Sequence, residues 1–99
     1  MPIIFHVTTK TDWSKAQEAG EYIHPSLAAE GFIHCSQEHQ VEGVVQRYYS
    51  GVKELILLHI DTSLLKSSVV FDWSPSTADT FPHVYGPINL DAVVKIVDL

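Results

Sequence analysis

Basic side chains are scarce in this chain, cysteine nearly so, and no long apolar run occurs. Six lysines and arginines stand against twelve aspartates and glutamates, giving a net charge of −6, and Arg47 is the sole arginine. Nucleic-acid binding that tracks phosphates draws its affinity from clustered basic groups, so this scarcity argues against a nucleic-acid partner. Cys35 is the only cysteine. No disulfide can form within the chain, which excludes a secreted disulfide scaffold. The longest apolar run is Leu55-Ile56-Leu57-Leu58, far short of the roughly 20 residues a membrane helix requires. No membrane partner is expected. Met1-Pro2-Ile3-Ile4-Phe5-His6 carries no basic leader and passes straight into a strand pattern. The expected location is therefore the cytoplasm. Phosphate-loop, dinucleotide-fold and serine-hydrolase glycine motifs are missing as well.

What is present suits one domain over residues 1–99, since 99 residues with 45% hydrophobic content can close a core without staples. Nothing in the pattern specifies an oligomeric state.

Ile3 to Thr9, rich in β-branched residues, reads as a first strand with Ile4, His6 and Thr8 on one face. Thr11 or Asp12 is the expected cap of a short helix over Trp13 to Ala19, stopped by Gly20. Pro25 suits the first turn of a second helix through Glu30, ended by Gly31, with Phe32 to Cys35 leaving as a strand. Val41, Val44, Val45, Tyr48 and Tyr49 fall at helical spacing and predict a helix over Gln37 to Ser50, capped by Ser36 and stopped by Gly51. Glu54 to Asp61 reads as a strand buried on both faces, followed by strands at Val69 to Trp73 and Ala92 to Val97. Ser74 to Asp91 holds three prolines and Gly86, and reads as a long wrapping loop. These elements predict an α+β fold: a small mixed, mainly antiparallel sheet with two to three short helices.

Histidine carries the chemistry. His6-Val7-Thr8, His34-Cys35-Ser36 and His83-Val84-Tyr85 each place an imidazole two residues before a hydroxyl. In an extended chain such pairs share a face, and imidazole serves as donor, acceptor, general base or metal ligand near neutral pH. Three such pairs could line one cleft. The competing account of each is a structural histidine held by its own hydrogen bonds. A metal would need three or four convergent ligands, which His6, His34, His83 and Asp72 could supply, but no metal-binding spacing supports it. Cys35 beside His34 should face away from that ring and be a buried thiol. Arg47, on the edge of the third helix, can hold a carboxylate or phosphate bidentately or pair with an acid. His59 with Asp61 reads as a buried orientation pair, while His24 and His39 read as surface residues.

Phe5-His6-Val7-Thr8, Tyr22, Ser26-Leu27, Glu30-Gly31-Phe32-Ile33-His34-Cys35-Ser36, Gln40, Arg47, Leu55-Ile56-Leu57-Leu58, Ile60-Asp61 and Phe81-Pro82-His83-Val84-Tyr85-Gly86-Pro87 together resemble the bacterial domain of unknown function 952 family. The resemblance covers nearly the whole chain. It implies a small α+β fold of the ADP-ribosyltransferase-like group, with no established activity. In that group a first strand carries His or Arg two residues before a hydroxyl, and a second carries His or Tyr near a serine. By that likeness, His6 and Thr8 would contact the adenosine-side ribose of NAD, and His34 with Ser36 would lie near the nicotinamide ribose. The third motif position, often a catalytic glutamate, falls to Asp72 or His83. The expectation is thus a small-molecule site binding NAD or a related nucleotide, with catalysis by His34, His83 and Asp72. The alternative is a non-catalytic module that recognises a small anion or peptide through His83, Tyr85 and Arg47.

Overall fold

A computed structural model describes residues 2–99. Among the described residues eight strands and three α-helices follow one another, and every strand pairing is antiparallel.

The apolar run Leu55-Ile56-Leu57-Leu58 lies in β4 (Leu55–Asp61), the middle strand of a three-stranded sheet between β1 (Ile3–Thr9) and β8 (Val93–Asp98). Five of its seven residues are buried and Leu57 and His59 partly so, which means both of its faces are largely covered and its residues need not alternate in polarity. Leu58 and Ile60 have no exposed surface. Each such side chain stabilises the fold by about 1.5–3 kcal/mol through burial alone.

A second three-stranded sheet has the order β3 (Ile33–His34), β6 (Asp79–Tyr85), β5 (Ser68–Ser74). The two sheets meet at one bridge. The Phe5 amide donates to the Ser36 carbonyl at 2.8 Å, and the Ser36 amide donates to the Phe5 carbonyl at 2.6 Å. That contact fixes His6 of β1 beside His34 of β3. A short pair, β2 (Glu21–Tyr22) with β7 (Ile88–Asn89), closes the far side of the core.

Helix α1 (Lys10–Ala19) starts earlier than the sequence suggests. Its cap is Thr9, the last residue of β1, whose hydroxyl accepts from the Asp12 amide at 3.1 Å. Helix α2 (Pro25–Glu30) begins on its proline and ends at Gly31, which takes a φ of 89° that a side chain would resist. The third helix is shorter than its periodicity suggests. Glu38–Gln40 forms a tight 3-10 turn before α3 (Val41–Tyr48), and the Gln37 amide donates to Gln40 Oε1 at 2.8 Å. The cap position falls to Gln37 and not to Ser36, because the 3-10 turn begins at Glu38.

The largest departure is the segment read as a wrapping loop from Ser74 to Asp91. Asp79–Tyr85 is instead β6, the central strand of its sheet, and Ile88–Asn89 pairs with β2. Proline is rarely found mid-sheet because it donates no hydrogen bond. Pro82 is tolerated because its carbonyl accepts from the Cys35 amide at 3.0 Å. Its nitrogen lies on that same side, where the pairing with β3 has ended at His34. No helix among the described residues is long and apolar enough to cross a membrane.

Candidate functional site

A cavity of about 700 Å³ opens between the second sheet and α3. His24, Glu30, His34 and His83 line it together with Val44, Arg47 and Tyr48 of α3 and with Trp73 and Pro75 where β5 runs into the β5–β6 turn. His6 and Ser36 lie at its floor, both buried.

His6 is held from two sides. Its Nδ1 lies 2.6 Å from the His34 carbonyl oxygen, so Nδ1 carries the proton and donates. Its Nε2, 2.8 Å from the Tyr22 hydroxyl, must then accept, so Tyr22 donates. Thr8 Oγ1 lies 3.0 Å from the same phenol oxygen and supplies the remaining donor. Burial lowers the His6 pKa to about 4, and the ring is neutral. Burial also raises the Tyr22 phenol. Both His6 nitrogens are therefore committed within the protein, and Thr8 does not border the cavity.

His24 is not the surface residue its position before proline suggests. It caps α2, its Nδ1 accepting from the Ser26 amide at 3.1 Å, and its ring meets His6 edge-on at 5.7 Å. With Nδ1 accepting, the neutral ring carries its proton on Nε2. Burial lowers its pKa. Ser26 in turn donates its hydroxyl to the Phe32 carbonyl at 2.9 Å, tying the helix start to the strand that follows.

His34 and His83 face one another across the β3–β6 pair, ring centroids 5.1 Å apart. Each is oriented by a carboxylate. His34 Nε2 donates to Glu30 Oε2 at 2.7 Å, and His83 Nδ1 donates to Asp72 Oδ2 at 2.7 Å. The Tyr85 hydroxyl donates to the same Asp72 oxygen at 2.6 Å. These bonds, from Tyr85 and then His83, hold the Asp72 carboxyl below its ordinary range, and they raise the Tyr85 phenol. Phe32 lies flat against His83, centroids 4.0 Å apart and planes within 11°, and fixes the imidazole plane. Neither Asp72 nor Tyr85 borders the cavity; both stand behind His83.

The sequence reading missed Glu30. Its signal was local: a glutamate at the end of a short helix, a glycine turn, then a histidine four residues on, which brings the two side chains together without a helix between them. Arg47 makes no ion pair among the described residues, and its guanidinium stands 5.7 Å from the Tyr48 ring centroid.

His59 and Asp61 do not form the pair expected of them. Asp61 Oδ1 accepts from the Ser63 amide at 2.9 Å and the Ser63 hydroxyl at 2.6 Å, bracing the turn after β4. A register shift against β8 falls between His59 and Ile60, and His59 packs edge-on against Phe5 at 4.8 Å. Cys35 is buried in the core, and burial raises its thiol pKa, which disfavours the reactive thiolate. His39 is exposed and bonds Asp79 at 2.7 Å, outside the cavity. No group of three or more His, Cys, Asp or Glu among the described residues is arranged to hold a metal ion.

Residues 7–96 match the family model described as "Protein of unknown function (DUF952)". The chain belongs to that family. All the cavity residues from His24 to His83 fall inside the matched stretch, and His6 stands one residue ahead of it. Among solved structures, DUF952 chain and protein CC0527 from Caulobacter crescentus are alike throughout. The CC0527 crystal structure superposes with a TM-score of 0.89 at 25% identity, covering 99% of this chain and 86% of that one. Its solution NMR structure gives 0.83 at 26% identity, covering 100% and 85%. No curated protein matches the chain.

Proposed function

We propose that the cavity is a small-molecule site of the ADP-ribosyltransferase type, which binds NAD or a related nucleotide. The observation that carries this reading is the cavity itself. At about 700 Å³ it falls within the range of ligand pockets, and the sole arginine and several imidazoles share its lining. Arg47, free of ion pairs among the described residues, suits a phosphate. His24 offers an N–H donor, and Trp73 and Tyr48 offer exposed aromatic surface on which a base can lie. The likeness to the ADP-ribosyltransferase-like group adds the choice of NAD. In that reading the chain works in the cytoplasm on a small ligand, its negative charge and single arginine being unsuited to a nucleic acid. Within this cavity His6 shapes the floor rather than offering a free polar atom, since both its nitrogens are committed, whereas the Ser36 hydroxyl has no hydrogen-bond partner among the described residues. Calorimetry with NAD and with ADP-ribose is the test, wild type against His34→Ala. Heat from either ligand that weakens in the variant is the expected result; no heat from either would remove the reading.

A second reading, a non-catalytic module for a small anion, is favoured by one observation. Asp72, the acid expected in the third motif position, is occupied by Tyr85 and His83 and does not border the cavity. This reading predicts binding without turnover. Time-dependent release of nicotinamide from NAD by the purified protein would count against it.

A further inference from the structure

Two imidazoles on adjacent strands, each oriented by its own carboxylate, each retain one uncommitted nitrogen. His83 gives Nδ1 to Asp72 and keeps Nε2; His34 gives Nε2 to Glu30 and keeps Nδ1. Neither remaining nitrogen has a hydrogen-bond partner among the described residues, neither is a buried unsatisfied atom, and both rings border the cavity. The arrangement differs from that of His6, whose two nitrogens are both engaged. A structural histidine needs no second carboxylate-bound neighbour 5.1 Å away in the same cleft. A reaction that needs one group to take a proton and another to give one does.

We propose that this cleft hydrolyses a strained phosphodiester, a nucleoside 2′,3′-cyclic phosphate, using His83 as general base and His34 as general acid. The proposal rests on the reading that the cleft accepts a nucleotide. Arg47 binds the single negative charge of the diester. His83 Nε2 removes a proton from water as the water oxygen attacks phosphorus. One of the two ring P–O bonds breaks, and the departing ribose oxygen receives a proton from Nδ1 of His34, which enters the step as the imidazolium with its Nε2–H still on Glu30. One water is consumed, and the product is a phosphomonoester with a free vicinal hydroxyl. The proton on His83 then returns through solvent to His34, which restores the starting state. Asp72 and Glu30 are positioning residues. An ionised Asp72 fixes the His83 tautomer, so that Nε2 presents its lone pair, and Phe32 holds the ring plane.

The cyclic diester is favoured over other phosphates by the inventory of the wall. Two imidazoles and one arginine can neutralise a monoanion and move two protons, whereas a dianionic monoester would call for more positive charge than the single guanidinium supplies.

The test is incubation of the full chain with 2′,3′-cyclic AMP in EDTA, followed by phosphorus NMR, with calorimetry of the same nucleotide in parallel. The expected result is replacement of the cyclic phosphate signal by a monoester, with a bell-shaped dependence of rate on pH. His83→Ala and His34→Ala should each lower kcat by about 100-fold or more. Arg47→Ala should raise KM. Asp72→Asn should lower kcat while KM holds, a split that a merely structural role would not give. His34 is half-exposed, so His34→Ala keeps the test valid should the His83 variant fail to fold. Binding of the cyclic nucleotide without turnover would overturn the proposal and leave the nucleotide reading standing. No binding of either cyclic AMP or NAD would take both. Turnover that persists in folded His83→Ala and His34→Ala would also overturn it.

Discussion

The Tyr22 hydroxyl donates to His6 Nε2 at 2.8 Å inside the core, and its only other hydrogen-bond partner among the described residues is Thr8. Tyr22 is 1% exposed and His6 4%, so the bond is shielded from bulk water. Tyr22→Phe keeps the ring and its packing but strands the His6 acceptor. An unsatisfied buried group costs about 1–3 kcal/mol. Urea unfolding should show a loss of that size with an unchanged slope, and a loss below about 0.5 kcal/mol would mean that His6 finds another partner.

The same burial makes stability depend on acid. The folded His6 titrates at about 4 against an ordinary value of 6.5, so between these values the unfolded chain binds a proton that the folded chain refuses. Stability is fully present above about pH 6.5 and falls as pH drops toward 4, by on the order of 3 kcal/mol. The lowered pKa of His24 acts in the same direction. Asp72 and Asp79, lowered below 3.8 by their hydrogen bonds, withdraw further stability only at still lower pH. Urea unfolding at intervals from pH 8 to 4 measures this. A stability unchanged between pH 7 and 5 would show that His6 takes its proton without unfolding.

Strand β1, strand β4 and helix α2 were legible because each carries its signal within a few residues: a β-branched run, a continuous apolar run, and proline and glycine at the two ends of one short turn. Strand β6 was not. Its alternation is present, with Phe81, His83 and Tyr85 on one face and Pro82 and Val84 on the other, but the prolines at 75, 82 and 87 outweighed it. Whether Pro82 is tolerated depends on where β3 ends, which is a property of the pairing and not of the segment. The same applies to the site. The proximity of His34 and His83 is set by the register of β3 on β6, and the engagement of His6 by Tyr22, a residue 16 positions away. Glu30 with His34 and His24 with Ser26 were local, and could have been read from a helix start and a helix end.

Gly86 joins β6 to β7 with a φ of 153°, and a Cβ built there would run into the Ser67 hydroxyl. That hydroxyl is not free to swing away, since it donates to the Pro87 carbonyl at 2.7 Å. Gly86→Ala must therefore strain the backbone, break this bond, or both. The expected cost is about 2 kcal/mol, from an adverse φ together with a lost part-buried hydrogen bond. Pairing the substitution with Ser67→Ala, which removes the obstructing oxygen and leaves only the Ser67 Cβ at 3.0 Å, should recover most of the part due to the clash. Equal stability losses in the presence and absence of Ser67 would assign the whole effect to φ.

Gly43 sits inside α3 with the Arg47 guanidinium folded over it. A Cβ at Gly43 would stand 3.0 Å from Arg47 Nη1. Glycine in a helix interior costs roughly 0.5–1 kcal/mol relative to alanine, so Gly43→Ala should raise stability by about that amount in urea unfolding. The obstructed atom is the end of a flexible side chain with no ion pair among the described residues to hold it, so it yields rather than the helix. Its displacement should weaken any anion that Arg47 holds. The two effects therefore have opposite signs: a more stable protein that binds the proposed nucleotide less tightly in calorimetry. Arg47→Ala separates them, because an exposed unpaired side chain should leave stability within about 0.5 kcal/mol while affinity falls. A Gly43→Ala protein that gains stability and keeps full affinity would remove Arg47 from the ligand contacts.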